Sequence, residues 1–121
     1  TRGADAAPLP TTALETPPPV RAGDRSALHL YPIKVEADRR RRVFELLREG
    51  GVGANVHYIP VHTQPYYRER QMGSGPYPGA EAYYARTLSL PLYPTLTEAE
   101  QDRVVEVLAR AVHRAPAEVP A

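Results

Sequence analysis

Residues 56–67, VHYIPVHTQPYY, gather two histidines and three tyrosines into one short stretch broken by prolines, in a chain with no tryptophan, no cysteine and a single phenylalanine. Imidazole can donate, accept and bind metal; a phenol offers a flat apolar ring with a polar tip. His57 and His62 stand five apart across Pro60, whereas zinc favours two histidines on one helical face or flanked by cysteines and carboxylates. No carboxylate in the sequence lies nearer than Glu69, so the pattern argues against a metal site. It reads instead as one wall of a ligand site. His57 also has a plainer reading, as a strand residue bonded to a neighbouring loop. Tyr58, next to the turn at Pro60, has a better claim on a ligand than Tyr83 and Tyr84, which are expected to pack their rings inward.

Other chemistries find little support. Ser26, Ser74 and Ser89 lack a Gly-x-Ser-x-Gly frame, and no phosphate-cradling glycine pattern precedes a helix. Every basic side chain except Lys34 is arginine, so lysine Schiff-base chemistry has one candidate. The Arg39–Arg42 run falls in the first turns of an amphipathic helix, where it reads as a solvated face and not as a nucleic-acid site. A net charge of +1 supplies no global field to attract nucleic acid or an anionic membrane. The absence of cysteine excludes disulfides and thiolate ligands and agrees with a cytoplasmic setting. No apolar run approaches the roughly 18 residues of a membrane span, and no signal peptide is visible. The opening TRGADAA, without an initiator methionine, suggests a fragment or a processed start.

The elements that must position these residues follow from pattern. At 121 residues, the chain makes one domain at most. Residues 1–26 read as an extended, proline-rich connector through Pro17-Pro18-Pro19. LHLYPIKV, 28–35, reads as a strand whose Pro32 places it at a sheet edge or bulge. Asp38 is expected to cap a helix with a Val43, Leu46, Leu47 stripe, closed by Gly50-Gly51. ANVHYIPV, 54–61, alternates as a strand. A loop follows, with a helical turn at 66–70. A short helix over 80–88 is expected to turn Ala82, Tyr83 and Leu88 inward, and SLPLYP is extended. Thr97 and Glu100 form a capping box ahead of a Val104, Val105, Leu108, Ala109, Val112 stripe. The body thus spans 27–113, with 114–121 a flexible tail. This order describes an α+β lobe, two to three strands packed with about three helices, and not a self-contained enzyme.

In sequence order, HLYPIKV, the arginine-rich helix ending in Gly-Gly-Val, VHYIPVHTQPYYRER and YPGAEAYYARTLSLPLYPTLTEAE resemble the C-terminal part of DegT/StrS-type sugar-nucleotide aminotransferases, over about residues 27–113. Within that family the chain looks most like the transaminases of pseudaminic acid biosynthesis. The resemblance implies the small C-terminal domain of the aspartate-aminotransferase fold, in homodimeric enzymes that pass an amino group from glutamate to a 4-keto nucleotide sugar. It implies pyridoxal 5′-phosphate (PLP) held covalently by a lysine of a large domain that has no counterpart in this sequence. Lys34 lies at the end of a strand and does not match that lysine, so the chain alone is expected to bind no cofactor and to be inactive. Carried over by position, the substrate-binding residues are His57, Tyr58, Ile59 and His62. Two readings follow: part of a sugar-nucleotide aminotransferase partnered by a PLP-binding domain, or a non-catalytic remnant acting as an interaction or ligand-binding module.

Overall fold

The computed structural model describes residues 14–73 and 75–116. In chain order these form β1 (Leu14–Glu15), β2 (Tyr31–Val35), α1 (Arg40–Glu49), a 3-10 turn (Val61–Thr63), α2 (Pro65–Glu69), α3 (Pro78–Arg86), β3 (Thr87–Leu90) and α4 (Glu98–Arg114). The sheet is antiparallel in the order β1-β2-β3, with Leu14 opposite Val35, Ile33 opposite Leu88 and Tyr31 opposite Leu90. The architecture is α+β, as expected, with four α-helices. The segment read as a connector supplies β1.

Successive strand residues face opposite sides of a sheet, and directly paired residues share a side. Ile33, Val35 and Leu88 therefore point together toward α1 and α4. There they join Val43, Leu47, Val107, Leu108, Ala111 and Val112 in one buried cluster. Ala115, just past α4, is buried in the same cluster. Gly50 lets α1 and α4 approach closely: a β-carbon there would lie 2.4 Å from the Val107 Cγ1 atom, well inside contact distance. Gly51 takes the left-handed conformation (φ +80°) that closes α1, as the sequence implies.

Several expectations are corrected. β2 is the middle strand, not an edge. Pro32 is tolerated there because β1 reaches only Lys34 and Val35, so that among the described residues the missing N–H of Pro32 faces no strand on that side. Asp38 does not cap α1. The N-cap is Arg39, without a side-chain cap, and the turn before it closes through Arg39 N–H donating to the Glu36 carbonyl at 3.0 Å. The arginine run lies at the surface as expected, and its side chains are also paired. Arg39 meets Glu36, Arg41 meets Glu45, Arg42 bridges Glu45 and Glu49, and the Arg40 guanidinium lies over the Tyr84 ring. On α4 the capping box forms, but Val105 is 57% exposed while Val107, outside the expected stripe, is buried. Val107 packs against Gly50 at the end of α1. The short helix begins earlier, at Pro78, and ends at Arg86; Ala82 and Tyr83 are exposed, and Leu88 is buried on β3 instead.

Among the described residues, three carboxylates are held below their ordinary value of 4.5: Glu15 by hydrogen bonds from Lys34 and then Arg86, Glu45 by Arg41 and then Arg42, and Glu100 by the Thr97 backbone N–H. A lowered folded-state pKa stabilises the fold above the unfolded value, and that contribution disappears as pH falls through the folded one. Thermal melting followed by circular dichroism is therefore expected to be level from neutrality down to about pH 5 and to fall below the 4.5 range. Glu15→Gln should flatten part of that fall by removing the tie between β1 and the rest of the sheet. A melting temperature that rises on acidification would refute this account.

Candidate functional site

The segment carrying the candidate residues leaves the sheet beside β3. Asn55 and Ser89 exchange backbone hydrogen bonds, Asn55 N–H to Ser89 O at 3.0 Å and Ser89 N–H to Asn55 O at 2.7 Å. That bridge is all that forms of the strand expected over 54–61. Continued in register, the ladder would next meet the start of β3 at Thr87, where α3 runs straight into the strand and leaves nothing beyond to pair with. The chain turns away, and Thr63 N–H and its hydroxyl both donate to the Pro60 carbonyl, closing a 3-10 turn.

The four candidates fall into two kinds of environment. His57 and His62 are held by the protein itself. The His57 Nδ1 atom lies 2.8 Å from the Ser89 Oγ atom, so a loop histidine bonds a strand residue, the reverse of the plainer reading. The His62 Nε2–H donates to the Glu81 carboxylate at 2.9 Å, its ring meets the Tyr77 ring edge to face, and its side chain is 14% exposed. Tyr58 and Ile59, between these two anchors, stand in solvent at 72% and 51% exposure. The Tyr58 ring touches the His57 ring edge to face, with centroids 4.7 Å apart.

Two grooves flank the segment. One, of about 830 Å³, opens between His62, Tyr67, Arg68, Gln71 and Glu81. The other, of about 790 Å³, is bordered by His29, Asn55, His57, Ser89, Tyr93 and Arg103. The two histidines thus open onto different grooves, and Tyr58 and Ile59 line neither. Glu81 and Tyr77 escaped the sequence reading, and Ser89 entered it only as a nucleophile without a frame. They approach the segment only through α3 and β3, and no local spacing announces them.

The lone lysine is not placed to hold a cofactor. The Lys34 Nζ atom lies 2.7 Å from the Glu15 carboxylate on the neighbouring strand and borders neither groove. Its side chain is 37% exposed on the open sheet, with no enclosed pocket around it among the described residues to hold a carbonyl cofactor. The residues described here therefore do not fit pyridoxal phosphate. No helix among them is long and apolar enough to cross a membrane.

The chain belongs to the DegT/DnrJ/EryC1/StrS aminotransferase family, whose model matches residues 7–109. It is 40% identical over 98 residues to the Bacillus subtilis spore coat polysaccharide biosynthesis protein SpsC, covering 75% of this chain and 25% of SpsC. Its structure is similar to that of the aminotransferase TlmJ from Streptoalloteichus hindustanus, with a TM-score of 0.76 and 29% identity over 84% of this chain and 26% of TlmJ. It is also similar to Helicobacter pylori PseC, an aminotransferase involved in the biosynthesis of pseudoaminic acid, with a TM-score of 0.65 and 25% identity over 70% of this chain and 24% of PseC. Other similar structures were solved with pyridoxamine phosphate (PMP), the aminated form of PLP. The chain spans about a quarter of the length of these relatives.

Proposed function

We propose that this chain is the small domain of a PLP-dependent aminotransferase that moves an amino group, from glutamate, to a 4-keto nucleotide sugar in the cytoplasm. In this reading its partners are a PLP-binding large domain and a second copy of the enzyme. The order of motifs favours, among such enzymes, the transaminases that make UDP-4-amino-4,6-dideoxy-N-acetyl-β-L-altrosamine. The observation that carries the reading is the build of residues 57–62: a histidine at each end fixed by its own protein partner, and an exposed tyrosine and isoleucine between them. An apolar pair held out in water on an anchored segment gives a flat surface for a sugar or base, and the phenol adds a hydroxyl donor. His57 and His62 anchor the wall and keep their remaining ring atoms available to the ligand, and Tyr58 with Ile59 add an exposed contact surface.

The chemistry itself resides outside the described residues, because Lys34 is committed to Glu15. The chain supplied with PLP, glutamate and a UDP-4-keto sugar is expected to show no turnover and no long-wavelength cofactor absorbance. Turnover is expected once a PLP-binding domain of the family is joined or added. Transamination by this chain alone would sink the proposal, as would a failure of every such pairing to restore activity while both parts remain folded.

A further inference from the structure

We infer that Ser89 is a positioning residue that locks His57 in a single tautomer, with the hydrogen on Nε2, so that the groove beside β3 presents a donor to an acceptor oxygen of the nucleotide sugar. The inference deepens the function proposed above and rests on it for the identity of the ligand.

Ser89 is 3% exposed, and its backbone N–H and carbonyl are both taken by Asn55. It lies opposite Pro32 on β2, on the side of the sheet away from α1 and α4. Its hydroxyl has one hydrogen-bonding partner among the described residues, the Nδ1 atom of His57 at 2.8 Å. A hydroxyl oxygen with a lone pair unused costs little, whereas a buried hydroxyl hydrogen without an acceptor costs the desolvation of a donor. If Nδ1 carried the imidazole hydrogen, the hydroxyl hydrogen would be left in that state. The hydroxyl therefore donates to Nδ1, and neutral His57 carries its hydrogen on Nε2. Among the described residues Nε2 has no protein partner, and His57 borders the groove of about 790 Å³ with His29, Tyr93 and Arg103. A fixed N–H in that setting calls for a ligand acceptor, such as a phosphoryl, carbonyl or sugar hydroxyl oxygen.

The test is long-range proton–nitrogen NMR on this chain labelled with 15N-histidine, recorded at a pH where imidazole is neutral, with UDP-N-acetylglucosamine, UDP and N-acetylglucosamine as separate probes. The free protein should show His57 Nδ1 as the bare nitrogen and Nε2 as the protonated one. UDP-N-acetylglucosamine should shift Nε2; a matching shift with UDP alone assigns the acceptor to the nucleotide half, and one with N-acetylglucosamine alone assigns it to the sugar. Ser89→Ala should give a tautomer mixture and weaken probe binding about five- to tenfold, the size of one ordinary hydrogen bond. Ser89→Thr, which keeps the hydroxyl, should restore both. A hydrogen found on Nδ1 in the unaltered protein overturns the inference and leaves the substrate reading standing; this readout needs no variant to fold. The expected tautomer with no response to any probe overturns the assigned ligand and, at this groove, the substrate reading with it.

Discussion

Replacing Leu47 by alanine is expected to destabilise the chain by about 2–5 kcal/mol, the range measured for emptying a closed core site. Leu47 is fully buried in the last turn of α1 and belongs to the same cluster as Ile33 of β2, Leu88 of β3 and Val107 of α4. The core is one layer of side chains between a three-stranded sheet and two helices, so a vacancy there has few neighbours able to close over it. Small domains have total stabilities of roughly 5–15 kcal/mol, so a loss of this size removes a large share of the folded population's margin. Urea denaturation followed by circular dichroism reads it directly. The neighbouring Leu46, half-buried beside the same cluster, serves as the internal control and should cost less. Equal costs at 46 and 47 would mean that the α1 interface is not organised as described.

Tyr58→Ala combined with Ile59→Ala is expected to do the reverse, leaving melting unchanged while lowering affinity for a nucleotide sugar. Stacking of a base on an aromatic side chain is worth about 1–3 kcal/mol, so the loss should be roughly ten- to a hundredfold. Both side chains are exposed, and neither joins the core cluster, so truncating them removes little that holds the fold together. Calorimetric titration in an enzyme completed with its PLP-binding domain is the measurement. His62→Ala makes a useful contrast: its imidazole is tied to Glu81, so it should loosen the segment and lower stability along with affinity. Should the double variant bind as tightly as the parent while His62→Ala does not, the contact surface lies on the groove side of His62 and not at the exposed pair.

The long helices were readable from the sequence because each carries its own punctuation. Gly51 supplies the left-handed stop of α1, and Thr97 with Glu100 supplies the start of α4. The choice of face was less readable. Val105 and Val107 are chemically alike, and only the position of α1 decides that 107 is the one enclosed. Alternation over Val56, Tyr58 and Pro60 suggested a strand, yet a strand exists only where a neighbour completes its ladder, and here that neighbour ends at Thr87. The candidate site divides in the same way. Its exposed members announce themselves as aromatic and apolar residues among prolines. The partners that hold it, Ser89 and Glu81, come from far along the chain, and a buried serine or a surface glutamate looks ordinary in a string of letters.

The direct passage of α3 into β3, with no intervening loop, makes those two partners parts of one continuous stiff piece. Glu81 grips the far end of the 57–62 segment and Ser89 its near end, so helix and strand form a single handle fastened at two points. Arg86, at the joint, also donates to the Val35 carbonyl and pairs with Glu15, which fastens the handle to the rest of the sheet. A substitution at that joint would tilt both grips together and alter, from a distance, the recognition proposed for the segment they hold.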